Sequence, residues 1–396
     1  MASLPTVDDV RDTLSDVRDT LPDEESFESR LHTQRTAALL GLALGVSFSV
    51  CFVTGLASHL VQNPTTWFHW PARPAGLYRI SQGVHVTTGI ASVPLLLAKL
   101  WTVYPQFWLR PTARNIAHAV ERLCLLPLVG GAVFLLFTGV SNVAYWYDVM
   151  DFYFPAAHYW AAWVTIGALV VHIGAKLTTT RTALAPRRRS RFQLPGQGLD
   201  RRGFLLSVAA AAGVLVVATV GQTIGPLRRL SVLAPRRPDI GPQGLPVNKS
   251  ASQAQIEEEM VDPSRYRLTV EGQVPTPLEL SIDDLRTMPQ REATLPIACV
   301  EGWSFSARWR GVSVRDLLDQ AGAATTSEAR VESLQRVGRY NDSPLNANQI
   351  ADGDTLLALE LNNEPLALDH GAPLRLIGPN RPGVQQTKWV TRIVVL

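Results

Sequence analysis

Hydrophobic and polar positions divide the chain into two unlike halves. Residues 36–225 are dominated by long apolar runs, whereas 226–396 scatter charges among short alternating stretches. The runs at Thr36–Leu60, Leu77–Trp101, Ala117–Tyr145, Ala157–Leu177 and Phe204–Ile224 each reach the length of about 20 residues that crosses a bilayer core. Trp67, Trp70, Tyr78, Trp101, Tyr104, Tyr145, Trp146, Tyr147, Tyr159 and Trp160 gather at their ends, the pattern of an aromatic belt. The first half therefore reads as an all-α transmembrane helical bundle, four helices plus a fifth anchor helix, with the lipid bilayer as its partner. Residues 1–35 are an acidic tail in which Val10, Leu14, Val17 and Leu21 fall at heptad spacing.

The second half changes period. Strand patterns are expected at Tyr266–Glu271, Leu278–Ile282, Thr355–Glu360, Leu374–Ile377 and Val390–Val395, with short helices from Asp283 and over Val312–Ala321. This is an α+β, strand-rich domain. The boundaries read as a tail at 1–35, a four-helix membrane domain at 36–178, an Arg-rich loop at 179–203, the fifth helix at 204–225, a Pro/Gly/Arg linker at 226–246 and the folded domain at 247–396.

Charge orients the bundle. The connection from Thr178 to Gly203 carries Arg181, Arg187, Arg188, Arg189, Arg191, Arg201 and Arg202, while that from Asp148 to Pro155 has no basic residue. Positive-inside counting places the first in the cytoplasm and the domain after the fifth helix outside, in a multi-pass protein of a bacterial cell membrane. Arg201-Arg202-Gly203-Phe204-Leu205-Leu206 resembles an internal twin-arginine export signal. The net charge of +3 gives no reason to expect nucleic acid as a partner.

All but one of the eight histidines precede residue 173. His32 and His69 fall in the tail and a loop, and His59 near the end of a run. His85, His118, His158 and His172 lie in apolar runs, where metal-binding side chains are costly and functional by default. His158 and His172 are 14 residues apart, on nearly one helical face and about 21 Å apart along the axis. Imidazoles on facing helices can take both axial positions of a haem iron, so one or two haems b are expected. QGVHVTTGIASVPLLLAKLW and AHYWAAWVTIGALVVHIGAK resemble the b-type cytochrome membrane subunits of bacterial respiratory enzymes.

Three cysteines make no disulfide framework. Cys51 and Cys124 lie in apolar runs and read as small buried hydrophobes. Cys299 stands alone in the second half, inside IACVEGWSFSARWRG, and a lone thiolate there suits a soft metal. CVEGWSFSARWRGVSVRDLLDQAG and TLLALELNNEPLALDHGAPLRLIGPNRPGVQQTKWVTRIVV resemble the molybdopterin domain of the sulfite oxidase superfamily over about residues 246–396. The resemblance implies that Cys299 ligates molybdenum beside the dithiolene of a single pterin. It also implies cofactor contacts from His370, Arg375, Gln386, Thr387, Lys388 and Asn248.

Two departures from that family bear on substrate. The family follows its cysteine with a Gly-Asn-Arg run that holds an anion, where this chain has Val300, Glu301, Gly302 and Trp303. It also carries a substrate-facing tyrosine and a further domain. Arg308, Arg310, Arg339 and Tyr340 are the candidates for a substitute pocket, with Arg308 and Tyr340 foremost. The function expected is two-electron, oxygen-atom-transfer chemistry at an extracytoplasmic molybdenum centre, with electrons exchanged through haem b with quinone or another redox partner. Methionine sulfoxide, as a small molecule or protein-bound, is one expected substrate. Oxidation of sulfite or a related sulfur anion is the alternative. A haem-only electron carrier or an anchored binding protein would be non-catalytic readings.

Overall fold

The computed structural model describes residues 29–108, 116–186, 199–237, 240–336 and 338–396. The tail positions Val10 to Leu21 and Arg187, Arg188, Arg189 and Arg191 lie outside them, as does the side chain of His118.

The long apolar runs form helices α1 (Gln34–Gln62), α2 (Leu77–Val103), α3 (Ile116–Val143), α4 (Phe154–Leu184) and α5 (Arg201–Val220). Among the described residues five helical segments are long and apolar enough to cross a membrane, by length and composition. The chain divides into two compact units, one of Met1–Ser49, Gly89–Phe137 and Pro155–Leu215, the other of Val50–Thr88, Thr138–Phe154 and Val216–Leu396. In the first unit Leu40, Ala98 and Val208 form a small apolar cluster. Ser47 and Ser92 share a hydroxyl bond of 2.8 Å. At Gly131 there is no room for a Cβ beside Thr165, the close helix approach that small residues permit in apolar surroundings.

The second unit holds the sheets. One has the order β2 (Leu278–Leu280), β1 (Leu268–Gly272), β10 (Val390–Val395), β5 (Ala329–Ser333) and β6 (Asp342–Leu345). The other has the order β3 (Gln290–Ala298), β4 (Ser304–Ser313), β7 (Leu356–Leu361) and β8 (Glu364–Pro365), with β9 (Arg375–Ile377) also paired to β7. Strand alternation accounts for both. In β4, Phe305, Ala307 and Trp309 are buried while Ser306 and Arg308 are exposed, the period of two that a one-sided core imposes.

Short helices cross between strands. In α6 (Ile282–Thr287) Ser281 and Asp284 close a reciprocal capping box, and Asn346 with Gln349 does the same for α8 (Ala347–Ala351). Helix α7 (Val314–Gln320) buries Val314, Leu317 and Leu318. These three join Leu268, Val270, Val331 and Ile393 in the larger core cluster.

The β3–β4 hairpin matters most here. Its register runs from Gln290↔Val312 to Ala298↔Ser304, leaving Cys299–Trp303 as the connection. Cys299 N–H donates to Trp303 O at 2.9 Å and Gly302 N–H to Cys299 O at 3.1 Å. Gly302 adopts φ +90°, which a residue with a Cβ resists.

Candidate functional site

Cys299 is 2% exposed and belongs to the second core cluster with Trp303, Phe305 and Trp309. Burial, then the neighbouring Glu301 carboxylate, pushes its thiol well above the ordinary range. A thiolate therefore forms here only with a metal to stabilise it.

Glu301 is buried beside it. Trp303 Nε1 donates to its Oε2 at 2.8 Å and the Tyr147 hydroxyl to its Oε1 at 3.4 Å. Arg236 Nε lies 3.8 Å from Oε2. Burial raises the Glu301 carboxyl above its usual range, and those three donors oppose the rise. The Arg236 guanidinium also stacks on Tyr145 at 4.3 Å from the ring centroid. Tyr145 holds a left-handed backbone at φ 63°, a strain that marks a constrained position.

A second feature is buried positive charge. Arg375 is buried and Lys388 half-buried, and among the described residues neither is in an ion pair with a carboxylate. Arg375 donates from a terminal nitrogen to His370 O at 3.0 Å, stands 5.2 Å over the Trp309 ring, and leaves Nε without a hydrogen-bond partner. Burial pushes its pKa down to about 9. Lys388 Nζ donates to Lys249 O at 2.8 Å and Asp369 O at 2.7 Å, and burial holds it well below the usual lysine range. His370, buried and bonded from Nε2 to Pro242 O at 2.8 Å, falls to about 4 through burial and then through Arg375. Uncompensated buried cations are costly, and a phosphate is the kind of anion that relieves them. The set thus fits a pterin phosphate, and Cys299 fits the metal.

Near these cations a cavity of about 600 Å3 is lined by Tyr145, Arg236, Pro242, Asn248, Ser250 and Asp369, among others. The structure thus places Asn248 on this cavity. Its carbonyl accepts from the Tyr145 hydroxyl at 3.2 Å.

Other expected site residues are engaged elsewhere. Gln386 bonds back to Gly378 through both amide atoms, at 2.9 and 3.3 Å. The Thr387 hydroxyl meets that of Ser343 at 2.6 Å. These two side chains brace their own loop. Arg308 is corrected more plainly: it lies on the exposed side of β4, paired with Glu292 at 2.5 Å. Arg310 pairs with Glu360 at 2.7 Å in the same way. Strand alternation explains both, since Trp309 between them takes the inward position. Tyr340 lies at the surface, 40% exposed. Arg339 stacks on Tyr153 at 3.6 Å.

Among the helix histidines, His85 lies in the second unit with Nδ1 2.9 Å from Cys51 O and 3.2 Å from Thr54 Oγ1. The carbonyl contact fixes the tautomer with hydrogen on Nδ1, the arrangement second-shell acceptors give to metal-ligating imidazoles. His158 and His172 lie half-buried on α4 in the first unit. His118 is on α3. Among the described residues no group of three or more His, Cys, Asp or Glu side chains is placed to hold a metal ion.

Sequence reasoning passed over Arg236, Gln82 and Asn142. Arg236 sat in a linker without periodicity, where nothing marked it. Gln82 and Asn142 are polar residues in apolar runs, a signal that could have found them.

Comparison with known proteins bears on the domain. Residues 254–396 match the oxidoreductase molybdopterin binding domain. Mouse mitochondrial sulfite oxidase is 34% identical over 162 residues, covering 34% of this chain and 30% of that protein. An uncharacterized oxidoreductase, YuiH of Bacillus subtilis, is 32% identical over 133 residues, covering 33% of this chain and 66% of that protein. The sulfane dehydrogenase SoxCD structure from Paracoccus pantotrophus is 26% identical over 33% of this chain and 38% of that one, with a TM-score of 0.31. The chain thus spans about a third of the mouse sulfite oxidase it matches. Lone cysteine, buried phosphate-type cations and domain match agree: residues 254–396 match the oxidoreductase molybdopterin binding domain and are similar in sequence to sulfite oxidases.

Proposed function

We propose that the chain is a membrane-bound reductase of sulfoxides such as methionine sulfoxide, working at a molybdenum centre held by Cys299 outside the cytoplasm. Bound molybdenum supplies oxygen-atom transfer coupled to a two-electron change. Cys299 binds the metal, Arg375, Lys388 and His370 hold the pterin phosphate, and Asn248 lines the cavity beside them. Trp303 and Phe305 pack around the cysteine and keep water from it.

The observation that carries the choice of substrate is the buried Glu301 carboxyl next to Cys299. An ionised carboxylate about 4 Å from a bound sulfite would oppose it by about 4 kcal/mol at an effective dielectric of about 20. Arg236, the cation at hand, is already matched to Glu301. Arg308 and Arg310 are matched on the outer strand face. A neutral sulfoxide meets no such opposition.

Electrons reach the centre from quinone or another redox partner through haem b. The fixed tautomer of His85 supports its role as an axial ligand, with His118, His158 and His172 as the remaining candidates. Five apolar helices and the arginine asymmetry support the membrane location.

The test is to reduce the haem of purified full-length protein chemically and then add candidate oxidants. Methionine sulfoxide should reoxidise it, and sulfite should fail to reduce the oxidised form. Haem reduction by sulfite, or no haem in the absorption spectrum, overturns the reading.

A further inference from the structure

Past the end of α5 the chain turns back instead of running out as a linker. It passes through short turns at Gly221–Thr223 and Gly225–Leu230. Leu233 N–H then donates to Ala218 O at 2.9 Å, and the Ser231 hydroxyl donates to Val217 O at 2.9 Å. These carbonyls are among those that a helix end leaves without intrahelical partners. Gly221 permits the return, since a Cβ there would stand 2.5 Å from Ser231 Oγ. Ala218 precedes the end of α5 by about 3 Å of helical rise, so Leu233 lies level with the last turn.

The side chains on this fold-back are apolar and uncovered. Ile224, Leu230, Val232 and Leu233 are each more than half exposed, a grouping that marks a contact surface where a lone exposed leucine would not. Arg228 and Arg229 are exposed among them. Leu206 and Val214 of α5 are exposed in the same way, and the apolar span that includes them runs on to Thr223. The hairpin that carries Cys299 is bonded to helix ends. Ser304 N–H donates to Thr223 Oγ1 at 3.2 Å, and Gln82 Nε2 of α2 and Asn142 Nδ2 of α3 donate to the Val300 carbonyl at 3.0 and 3.2 Å. The folded domain therefore sits directly at the ends of the apolar helices.

We propose that residues 224–233 are an interfacial anchor: Leu230, Val232 and Leu233 lie at the boundary of headgroups and acyl chains in the outer leaflet, with Arg228 and Arg229 at the level of the phosphates. Apolar side chains flanking arginines suit that boundary, where the guanidinium meets headgroup charge. Phospholipid is the occupant because the patch continues the exposed apolar surface of α5 and its cations complement phosphate. The inference rests on α5 as a membrane span, the reading given above, and makes part of the expected linker a membrane contact. Ala234, Pro235 and Arg236 follow directly and line the cavity, and Arg236 reaches Glu301. The anchor thus fixes that wall of the cavity at the membrane surface.

Spin labels at Val232→Cys, Val214→Cys and Leu396→Cys, each in a Cys51→Ala/Cys124→Ala background, test this in full-length protein in phospholipid nanodiscs. Cys299 is too buried to label, and Leu396 is the control for an exposed apolar side chain on the domain. Collisions with oxygen, which dissolves in lipid, are compared with those of a water-soluble nickel chelate. The oxygen-to-nickel ratio at Val232→Cys should exceed that at Leu396→Cys by about fivefold, the order expected at a depth of about 5–10 Å, and approach that at Val214→Cys. Equal ratios at Val232→Cys and Leu396→Cys, with Val214→Cys in lipid, overturn the anchor and leave the span standing. Low collision rates with both reagents at Val232→Cys overturn it too, because protein would then cover the patch. A water-like ratio at Val214→Cys would overturn the membrane reading itself, and the anchor with it.

Discussion

Arg375→Met is expected to stabilise the cofactor-free protein while emptying the loaded one. The guanidinium is 3% exposed, donates one hydrogen bond to His370 O and leaves Nε unpaired. Its fall from the ordinary 12.5 to about 9 comes from burial. That fall corresponds to about 5 kcal/mol against the fold at any pH below the folded value. Methionine loses one hydrogen bond, about 1 kcal/mol, and the cation–π contact with Trp309, about 1–2 kcal/mol. The difference leaves the cofactor-free variant more stable than wild type by about 2 kcal/mol. With a phosphate present the sign reverses, since charge-assisted bonds of about 1.5–3 kcal/mol each are available only to arginine. The assay is thermal unfolding in detergent, followed by tryptophan fluorescence, on protein made with and without pterin synthesis. Metal analysis of the loaded protein goes beside it. A variant that loses stability without cofactor, or that keeps its full molybdenum, would refute the phosphate role of this arginine.

His370 gives a pH test of the same site. Its pKa is depressed to about 4 from 6.5, so the folded state declines a proton that the unfolded state takes up between those values. Stability is therefore present above about pH 6.5 and lost by about 3 kcal/mol as pH falls towards 4. His370→Gln should flatten that loss in melting curves of cofactor-free protein, whereas an unchanged slope would remove His370 as its source. Gly302→Ala combines φ +90° with a Cβ 2.8 Å from Val86 Cγ1. It should cost about 2 kcal/mol of stability and lower molybdenum retention, with partial recovery in Gly302→Ala/Val86→Ala. No recovery would mean that Val86 does not press on the loop.

Long apolar runs were legible because their composition dictates one solution. The expected Thr36–Leu60 and Leu77–Trp101 appear as Gln34–Gln62 and Leu77–Val103. Val390–Val395 was read to the residue, since its alternation leaves no other face to bury. Strands β3 and β4 were harder. Arg308, Trp309, Arg310 and Gly311 break a simple pattern, and Pro296 sits in mid-strand. Strands β5 and β6 are short and mixed in polarity, and their place depends on β10. The cysteine and the buried cations were legible through motif order. Arg236, Gln82 and Asn142 were not, because their roles come from contacts 65 or more residues away along the chain. Arg308 illustrates the converse error. Nearness to Cys299 in sequence suggested a pocket residue, but the inward position on β4 belonged to its neighbour.

The central claim is that the Cys299 sulfur is a ligand of molybdenum, and X-ray absorption at the molybdenum edge tests it most directly. Wild-type protein should hold molybdenum in stoichiometric amount with the chain, and Cys299→Ser should show one sulfur neighbour fewer while the pterin remains bound. An unchanged sulfur shell in Cys299→Ser, or wild-type protein that binds no molybdenum when pterin is supplied, would contradict the account.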